Sequence, residues 1–352
     1  MKPFFWAVMT GKETGAAAWL LKPFLWSMSV CYAAVMCMRR ALYGVGVFKT
    51  HDLGIPVLSV GNLTVGGTGK TPLVILLAKY LKSKGRPPAI LMRGYMPSGG
   101  VILSDEAGML QEALGDVPVI VGADRVKAFH EARCPKNVDC ALLDDGFQHW
   151  RIRRSLDIVV VNAACPWGNG QVLPLGILRE PPEVLKRAQV VVLTHVDIGR
   201  EHVAGIKEQI MRLHPECLIV ETIHAPRQVI DVFYPEKISD VSMLKGRKVL
   251  VMSAIGAPDI FVKTVEGTGA VIKDSMVFMD HHVYTSEDIV RVEERCRVLG
   301  AEAVVTTQKD AVKLRRLPRS GEGLPFVFVQ VDMKVTYGEA EFYSIVDRCW
   351  HS

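Results

Sequence analysis

The run Ser59-Val-Gly-Asn-Leu-Thr64-Val65-Gly66-Gly67-Thr68-Gly69-Lys70-Thr71 sets glycines, one lysine and a closing hydroxyl in an order suited to phosphate chemistry. Successive backbone N–H groups at a Gly-rich turn, followed by a helix N-terminus, form a nest for the β- and γ-phosphates of a nucleotide. Thr64, Val65, Gly66, Gly67, Thr68, Gly69, Lys70 and Thr71 are therefore expected to cradle those phosphates. Lys70 supplies the point charge and the Thr71 hydroxyl a magnesium ligand. The strict pattern wants Gly six positions before the lysine; Thr64 stands there, so Gly66 and Gly67 are expected to make the turn. Such a loop needs a carboxylate at the end of a neighbouring strand to hold Mg²⁺ through water. Cys140-Ala-Leu-Leu-Asp144-Asp145-Gly146 fits, an apolar strand ending in two acids, either of which is a candidate for the closer ligand. Thr194-His-Val-Asp197 also follows a strand, but it lacks the Asn and Lys of a guanine-reading motif and reads as an ordinary loop.

These groups need strands behind them and a helix in front. Val57–Val60 precedes the loop, and Leu73, Leu76, Leu77, Tyr80 and Leu81 put one apolar face on the helix after it, with Gly85 as its stop. Further strands are expected at Ala89–Met92, Val117–Val121, Ala141–Leu143, Ile158–Asn162 and Val190–Thr194. A second set lies at Leu218–Glu221, Lys248–Ser253, Ala270–Ile272, Ala303–Thr306 and Phe326–Val331. Alternation of such runs with helical patterns predicts an α/β fold, a P-loop NTPase-type, mostly parallel sheet with a second, smaller α/β domain. The mixed, charged stretch Pro226–Arg247 is the expected linker, which divides the chain into 51–225 and 226–352 after an N-terminal segment 1–50.

That N-terminal segment has its own chemistry. Ala16–Met38 carries one charge, Lys22, followed by Pro23, and Arg39 and Arg40 close it. Six basic residues stand against Glu13 and Asp52 through residue 60, so most of the net charge of +5 sits here. The run starts too far in and lacks the exit of a secretory signal. Its uncharged part, Pro23–Met38, is 16 residues, roughly 24 Å as helix against a ~30 Å hydrocarbon core. It just spans if Lys22 snorkels, or lies in the interface on Trp19, Phe24, Trp26 and Tyr32; an apolar core helix is the competing reading. Membrane contact is expected.

Composition excludes other classes. With 352 residues, 49% hydrophobic and 22% charged, the chain has enough apolar residues for a packed core and wholesale disorder is excluded. A net charge of +5 is too small for a dedicated polyanion binder, so no nucleic-acid partner is expected. The eight cysteines show no CxxC pair and no zinc-like spacing, and read as reduced thiols. The residues alone thus give an ATP-using protein with magnesium chemistry and an apolar anchor. Two classes compete: a kinase acting on a membrane-embedded acceptor, and a P-loop nucleotide switch or ATPase that moves or assembles a membrane partner.

Four strings then converge. Gly61-Asn62-Leu-Thr-Val-Gly-Gly-Thr-Gly-Lys-Thr71, Arg93-Gly94-Tyr95, Asp144-Asp145-Gly-Phe-Gln148-His149 and Leu173-Pro174-Leu-Gly-Ile-Leu-Arg179-Glu180-Pro181 occur in this order. With Asp280-His281 and Thr307-Gln308-Lys309-Asp310, they closely resemble the tetraacyldisaccharide 4′-kinase family over essentially the whole chain. The resemblance implies transfer of the ATP γ-phosphoryl group to the 4′-hydroxyl of a tetraacylated glucosamine disaccharide 1-phosphate, giving lipid IVA in lipid A biosynthesis. It implies Mg²⁺, two α/β halves, a lipid substrate reached at the cytoplasmic face of a bacterial inner membrane, and no obligate protein partner.

Carried over by position, Lys70 and Thr71 match the phosphate and magnesium residues, and Asp144 and Asp145 the acidic pair. Arg179 and Glu180 match an Arg-Glu-Pro element near the site, Glu180 as a further metal candidate. Ser104-Asp105-Glu106-Ala matches a Gly-Asp-Glu string that holds the family's proposed base, with Ser in place of Gly. His281 matches the family histidine, with Met279 where Pro is usual and His282 as competitor. Asp105 and His281 are expected in different halves, meeting when those halves close.

Overall fold

Apolar β-branched runs become strands where both faces can be covered, and the amphipathic stretches between them become helices. The structure, a computed structural model, describes residues 3–13, 15–94, 105–132, 137–280, 282–317 and 323–350. The first elements in the chain are α1 (Pro3–Met9), α2 (Ala16–Gly44), β1 (Val57–Asn62), α3 (Lys70–Ser83), β2 (Pro88–Met92), α4 (Asp105–Leu114), β3 (Val119–Val121) and α5 (Arg125–Glu131). Next come β4 (Cys140–Asp144), β5 (Leu156–Asn162), β6 (Val190–Thr194), α6 (Arg200–Leu213), β7 (Leu218–Asp231) and β8 (Ile238–Asp240). The chain continues through β9 (Lys248–Ser253), α7 (Pro258–Glu266), β10 (Val271–Val277), α8 (Ser286–Leu299), β11 (Ala303–Thr306), α9 (Gln308–Leu314), β12 (Phe326–Tyr337) and α10 (Glu339–Arg348).

Two compact units result. The first comprises Met1–Ile102, Leu114–Ile223 and Val335–Ser352; the second comprises Leu103–Ala113 and His224–Lys334. In the first unit the strands run in the order β7-β6-β5-β1-β4-β2-β3, every neighbouring pair parallel. Every residue of β1, β4, β5 and β6 is buried, as a parallel sheet covered on both faces requires. Register aligns the strand ends: Val60 lies opposite Asp144, Asn62 opposite Val160, and Asn162 opposite Thr194. α3 buries Leu73, Val74, Leu77, Ala78 and Leu81, close to the face expected from its spacing.

In the second unit β10, β9, β11 and β12 pair in parallel in that order, and β8 pairs antiparallel with β7, Gln228 opposite Asp240. The expected linker is therefore partly strand. Arg227 and Gln228 look like linker composition, but they lie on a half-exposed strand whose polar side chains find Asp332 and Gln330. α8 begins in a Thr285–Asp288 capping box and ends at Gly300 in left-handed conformation.

The N-terminal helix is longer than its uncharged stretch. α2 has 29 residues, about 44 Å at ~1.5 Å per residue. It is the one helix among the described residues long and apolar enough to cross a membrane. Only Ala18, Leu25 and Ser29 of it are buried, while Trp19 and Leu20 are 71% and 72% exposed. That exposure does not match a core helix. The buried stripe packs with Val8 of α1 and with Leu175.

Candidate active site

The loop from β1 to α3 gets its shape from two glycines. Gly66 (φ 106°) and Gly69 (φ 83°) occupy left-handed or wider regions open mainly to glycine, so Gly66 supplies the turn that Thr64 does not. Gly69 is the N-cap of α3, which places Lys70 and Thr71 in the first helical turn, where N–H groups have no helical acceptor. Two strand-end side chains hold the loop from behind. The Thr194 hydroxyl donates to the Thr68 carbonyl at 2.8 Å, and Asn162 Nδ2 to the Gly67 carbonyl at 3.4 Å. Residue Thr194, read from sequence as part of an ordinary loop, is thus a support of the phosphate cradle.

Lys70 Nζ donates to Asn62 Oδ1 at 3.1 Å and lies 3.5 Å from Asp145 Oδ1. Asn62 is itself fixed, its Nδ2 donating to the Thr64 carbonyl at 2.6 Å. Asp144 ends β4 with its residue buried, whereas Asp145 turns into positive φ (50°), so adjacent acids leave the strand differently. Asp145 receives Arg179 Nη1 at 3.0 and 2.8 Å on its two oxygens, and its carbonyl accepts Arg125 Nη1 at 3.3 Å. Burial opposes ionisation of Asp145, but the charges of Lys70, Arg179 and Arg125 win and pull it down to about 2. Arg125 is a site residue that the sequence reading did not single out; its position directly after the N-cap Asp124 of α5 is the local signal that marks it.

The Arg-Glu-Pro element reaches the cradle through its backbone. Val65 N–H donates to the Ile177 carbonyl at 2.8 Å and Arg179 N–H to the Leu63 carbonyl at 2.6 Å, bracketing an isolated Thr64–Leu178 bridge. Glu180 is buried and takes Arg187 Nη2 on both oxygens, at 3.2 and 3.0 Å. Arg187 in turn covers the Phe147 and Trp150 rings, 4.2 and 4.1 Å from their centroids. His149, last residue of the Asp-Asp-Gly-Phe-Gln-His string, is pushed down to about 4 by burial and then by Arg125 and its neighbours.

In the second unit, α4 begins at Asp105, and its Leu103–Ala113 segment belongs with His224–Lys334. This grouping differs from the expected division at 225, which put Asp105 in the P-loop half. Long-range ion pairs explain this. Lys309 Nζ lies 3.4 Å from Glu106 Oε1 and 3.5 Å from Asp280 Oδ1, and Arg315 Nη1 lies 3.0 Å from Glu112 Oε1. Burial alone would push the Lys309 ammonium down, but Glu106 and Asp280 hold it above the ordinary lysine range. The Asp105 side chain, His281 and Tyr95 lie outside the described residues. His282, the competing histidine, is engaged at 2.9 Å with Asp288.

Among the described residues no three His, Cys, Asp or Glu side chains gather as a metal cage. Magnesium in phosphoryl transfer keeps waters and phosphate oxygens and takes only one or two hard protein oxygens. A hydroxyl at the helix start and a carboxylate at the adjacent strand end, Thr71 and Asp144, are a donor set of that kind.

The family model described as Tetraacyldisaccharide-1-P 4'-kinase matches residues 21–350. The tetraacyldisaccharide 4'-kinase of Syntrophus aciditrophicus is 37% identical over 350 residues, covering 92% of this chain and 91% of that protein. A probable mitochondrial tetraacyldisaccharide 4'-kinase of Arabidopsis thaliana is 36% identical over 323 residues, 82% of this chain and 80% of its own length. Among solved structures, the "apo" form of LpxK from Aquifex aeolicus in complex with ATP superposes with a TM-score of 0.71 at 27% identity, covering 94% of this chain and 99% of that one. With the match running from α2 into α10, through the phosphate cradle and both units, the chain belongs to the tetraacyldisaccharide-1-phosphate 4′-kinase family.

Proposed function

We infer that the protein is an ATP-dependent kinase that phosphorylates the 4′-hydroxyl of tetraacyldisaccharide 1-phosphate, giving lipid IVA in lipid A biosynthesis. The observation that carries this reading is the Gly-Lys-Thr cradle whose lysine faces a strand-end carboxylate, Lys70 against Asp145. The acceptor follows from the family. A nucleotide switch finds no support at the end of β6, where the Thr194 hydroxyl is committed to the loop carbonyl of Thr68.

Phosphoryl transfer asks a protein mainly for positioning and charge. Lys70 offers its ammonium to the β/γ-phosphates, and N–H groups of the first turn of α3 face the same anion. When ATP enters, Lys70 exchanges its contact with Asp145 for phosphate oxygens, while Arg179 keeps Asp145 in place. Magnesium, held by Thr71 and Asp144 with the phosphates, would supply charge neutralisation of the developing anion. Asp145 and Glu180, the other two metal candidates, act instead through the cations they hold, Arg179 and Arg187. Asp105, with His281 as its orienting partner, is proposed as the base that takes the proton of the acceptor hydroxyl. Lys70, Asp144 and Asp145 stabilise the transferring group. The exposed aromatic face of α2 is proposed to sit on the cytoplasmic leaflet of the inner membrane, where an acylated substrate resides.

Incubation with γ-labelled ATP, with and without the lipid disaccharide, tests the reading. Lipid-dependent transfer of label supports it; lipid-independent hydrolysis alone would return the protein to the switch or ATPase class.

A further inference from the structure

Among the three buried residues of α2, Ser29 is the polar one, 3% exposed on a helix whose other face is apolar and open. Its hydroxyl accepts the Leu175 N–H at 3.0 Å. The same hydroxyl donates to the Val172 carbonyl at 3.0 Å, sharing that proton with the Leu25 carbonyl of its own helix at 2.9 Å. Leu175 is also buried, packed with Val8, Ala18 and Leu25. The N-terminal helix is thus docked onto one loop by a hydrogen-bond pair and an apolar contact.

That loop is tightly cross-linked. Leu173 N–H donates to the Leu178 carbonyl at 2.8 Å, Gly176 N–H to Val172 at 3.0 Å, and Asn169 Nδ2 to Leu175 at 2.9 Å. No side chain fits at Gly176, where a Cβ would stand 2.2 Å from Asn169 Oδ1. The far side of the same loop is the stretch bonded to the phosphate cradle: the Ile177 carbonyl to Val65, and Arg179 N–H to Leu63. Arg179 then grips Asp145. A rigid, bonded segment therefore joins Ser29 to the P-loop, and closely packed segments transmit a displacement rather than absorb it.

We propose that Ser29 is a positioning residue for ATP: by pinning Val172 and Leu175 it sets the register of the loop against Leu63 and Val65, and with it the shape of the phosphate cradle. The N-terminal helix is then part of the nucleotide site's support as well as an anchor. The inference rests on reading this loop as the ATP site.

Ser29→Ala removes the hydroxyl with almost no change in shape. The expected result is a KM for Mg·ATP raised about 5-fold, the low end of energetic coupling between sites, with the KM for the lipid acceptor and vesicle binding unchanged. Ser27→Ala, which removes an exposed hydroxyl bonded only to its own helix at Phe24, serves as the control and changes nothing. Unaltered ATP affinity in folded Ser29→Ala protein overturns the proposal. Should that variant fail to fold, the wild type answers by linkage: Mg·ATP must slow hydrogen exchange at the Leu175 amide, and exchange unchanged by saturating Mg·ATP overturns the proposal equally. A wild type that binds no Mg·ATP at all defeats the nucleotide-site reading first, and this inference with it.

Discussion

Arg179 holds both oxygens of Asp145 from one terminal nitrogen, at 3.0 and 2.8 Å, while its own backbone N–H is tied to Leu63 at the entrance of the phosphate loop. Side chain and main chain of one residue thus fix the acid and the cradle relative to each other. Lys70 lies 3.5 Å from the same carboxylate and donates to Asn62 at 3.1 Å. Pairing of this kind balances the Asp145 charge with two cations, Lys70 and Arg179.

Removing that guanidinium has a pH signature. Asp145, drawn down to about 2 against the opposing effect of burial, has a folded value below the ordinary carboxylate value of about 3.9. Its ionised form therefore contributes stability above pH ~4 that disappears as pH falls toward 2. In Arg179→Ala the value rises toward normal. Denaturant midpoints measured from pH 2 to 6 should show a gap between wild type and variant that is full above pH ~4 and closes in acid; a gap that does not vary with pH contradicts the assigned pairing.

Thr194→Val tests the support behind the loop. The substitution keeps the volume of a fully buried side chain but leaves the Thr68 carbonyl without its 2.8 Å donor. An unsatisfied buried group costs about 1–3 kcal/mol, so thermal unfolding should occur earlier and ATP affinity should fall with it. Wild-type affinity in a destabilised Thr194→Val protein would confine the residue to the fold.

Much of this was legible beforehand, for a local reason. Strand, glycines, lysine and helix are contiguous from Val57 to Ser83, so the cradle needs only nearest-neighbour geometry. The acid pair shares that advantage at the end of β4. What escaped depends on distant partners. Thr194 lies 126 residues from the carbonyl it holds, and Lys309 lies 203 residues from Glu106. Nothing near Asp105 says that α4 packs with the second unit, because Glu106 and Glu112 resemble any solvated helix face until Lys309 and Arg315 arrive. The length of α2 was hidden differently: Pro23, Arg39 and Arg40 look like boundaries, yet all lie inside one exposed helix where nothing forces a break.

Asp105 and His281 are expected to act as a unit. Each single alanine substitution should lower turnover roughly 10²–10⁴-fold, the range for a lost general base. Combined, they should cost little more than the worse single change, because residues sharing one role are non-additive. Steady-state kinetics on the three variants decides: fully multiplicative losses mean independent roles, and an active Asp105→Ala enzyme moves the search to Glu106, Asp144 or Asp145.

The exposed stripe of α2 should govern attachment to lipid. Trp19 and Trp26 are 71% and 57% exposed on a helix that also carries Arg39 and Arg40. Changing both tryptophans to serine should reduce co-flotation with anionic phospholipid vesicles several-fold, since interfacial aromatics and basic residues each contribute about 1 kcal/mol or more. Full flotation of the double variant would show that other surfaces make the contact.

The central claim is transfer of phosphate to a lipid hydroxyl, and the product's mass reads it directly. Purified protein incubated with Mg·ATP and tetraacyldisaccharide 1-phosphate should yield a lipid heavier by one phosphoryl group, located at the 4′-position by fragmentation. Lys70→Ala should form it about 10²–10³-fold more slowly, as expected for loss of one preorganised charge at the transferring group. An unchanged lipid mass alongside consumed ATP, or equal product from Lys70→Ala, would contradict the account.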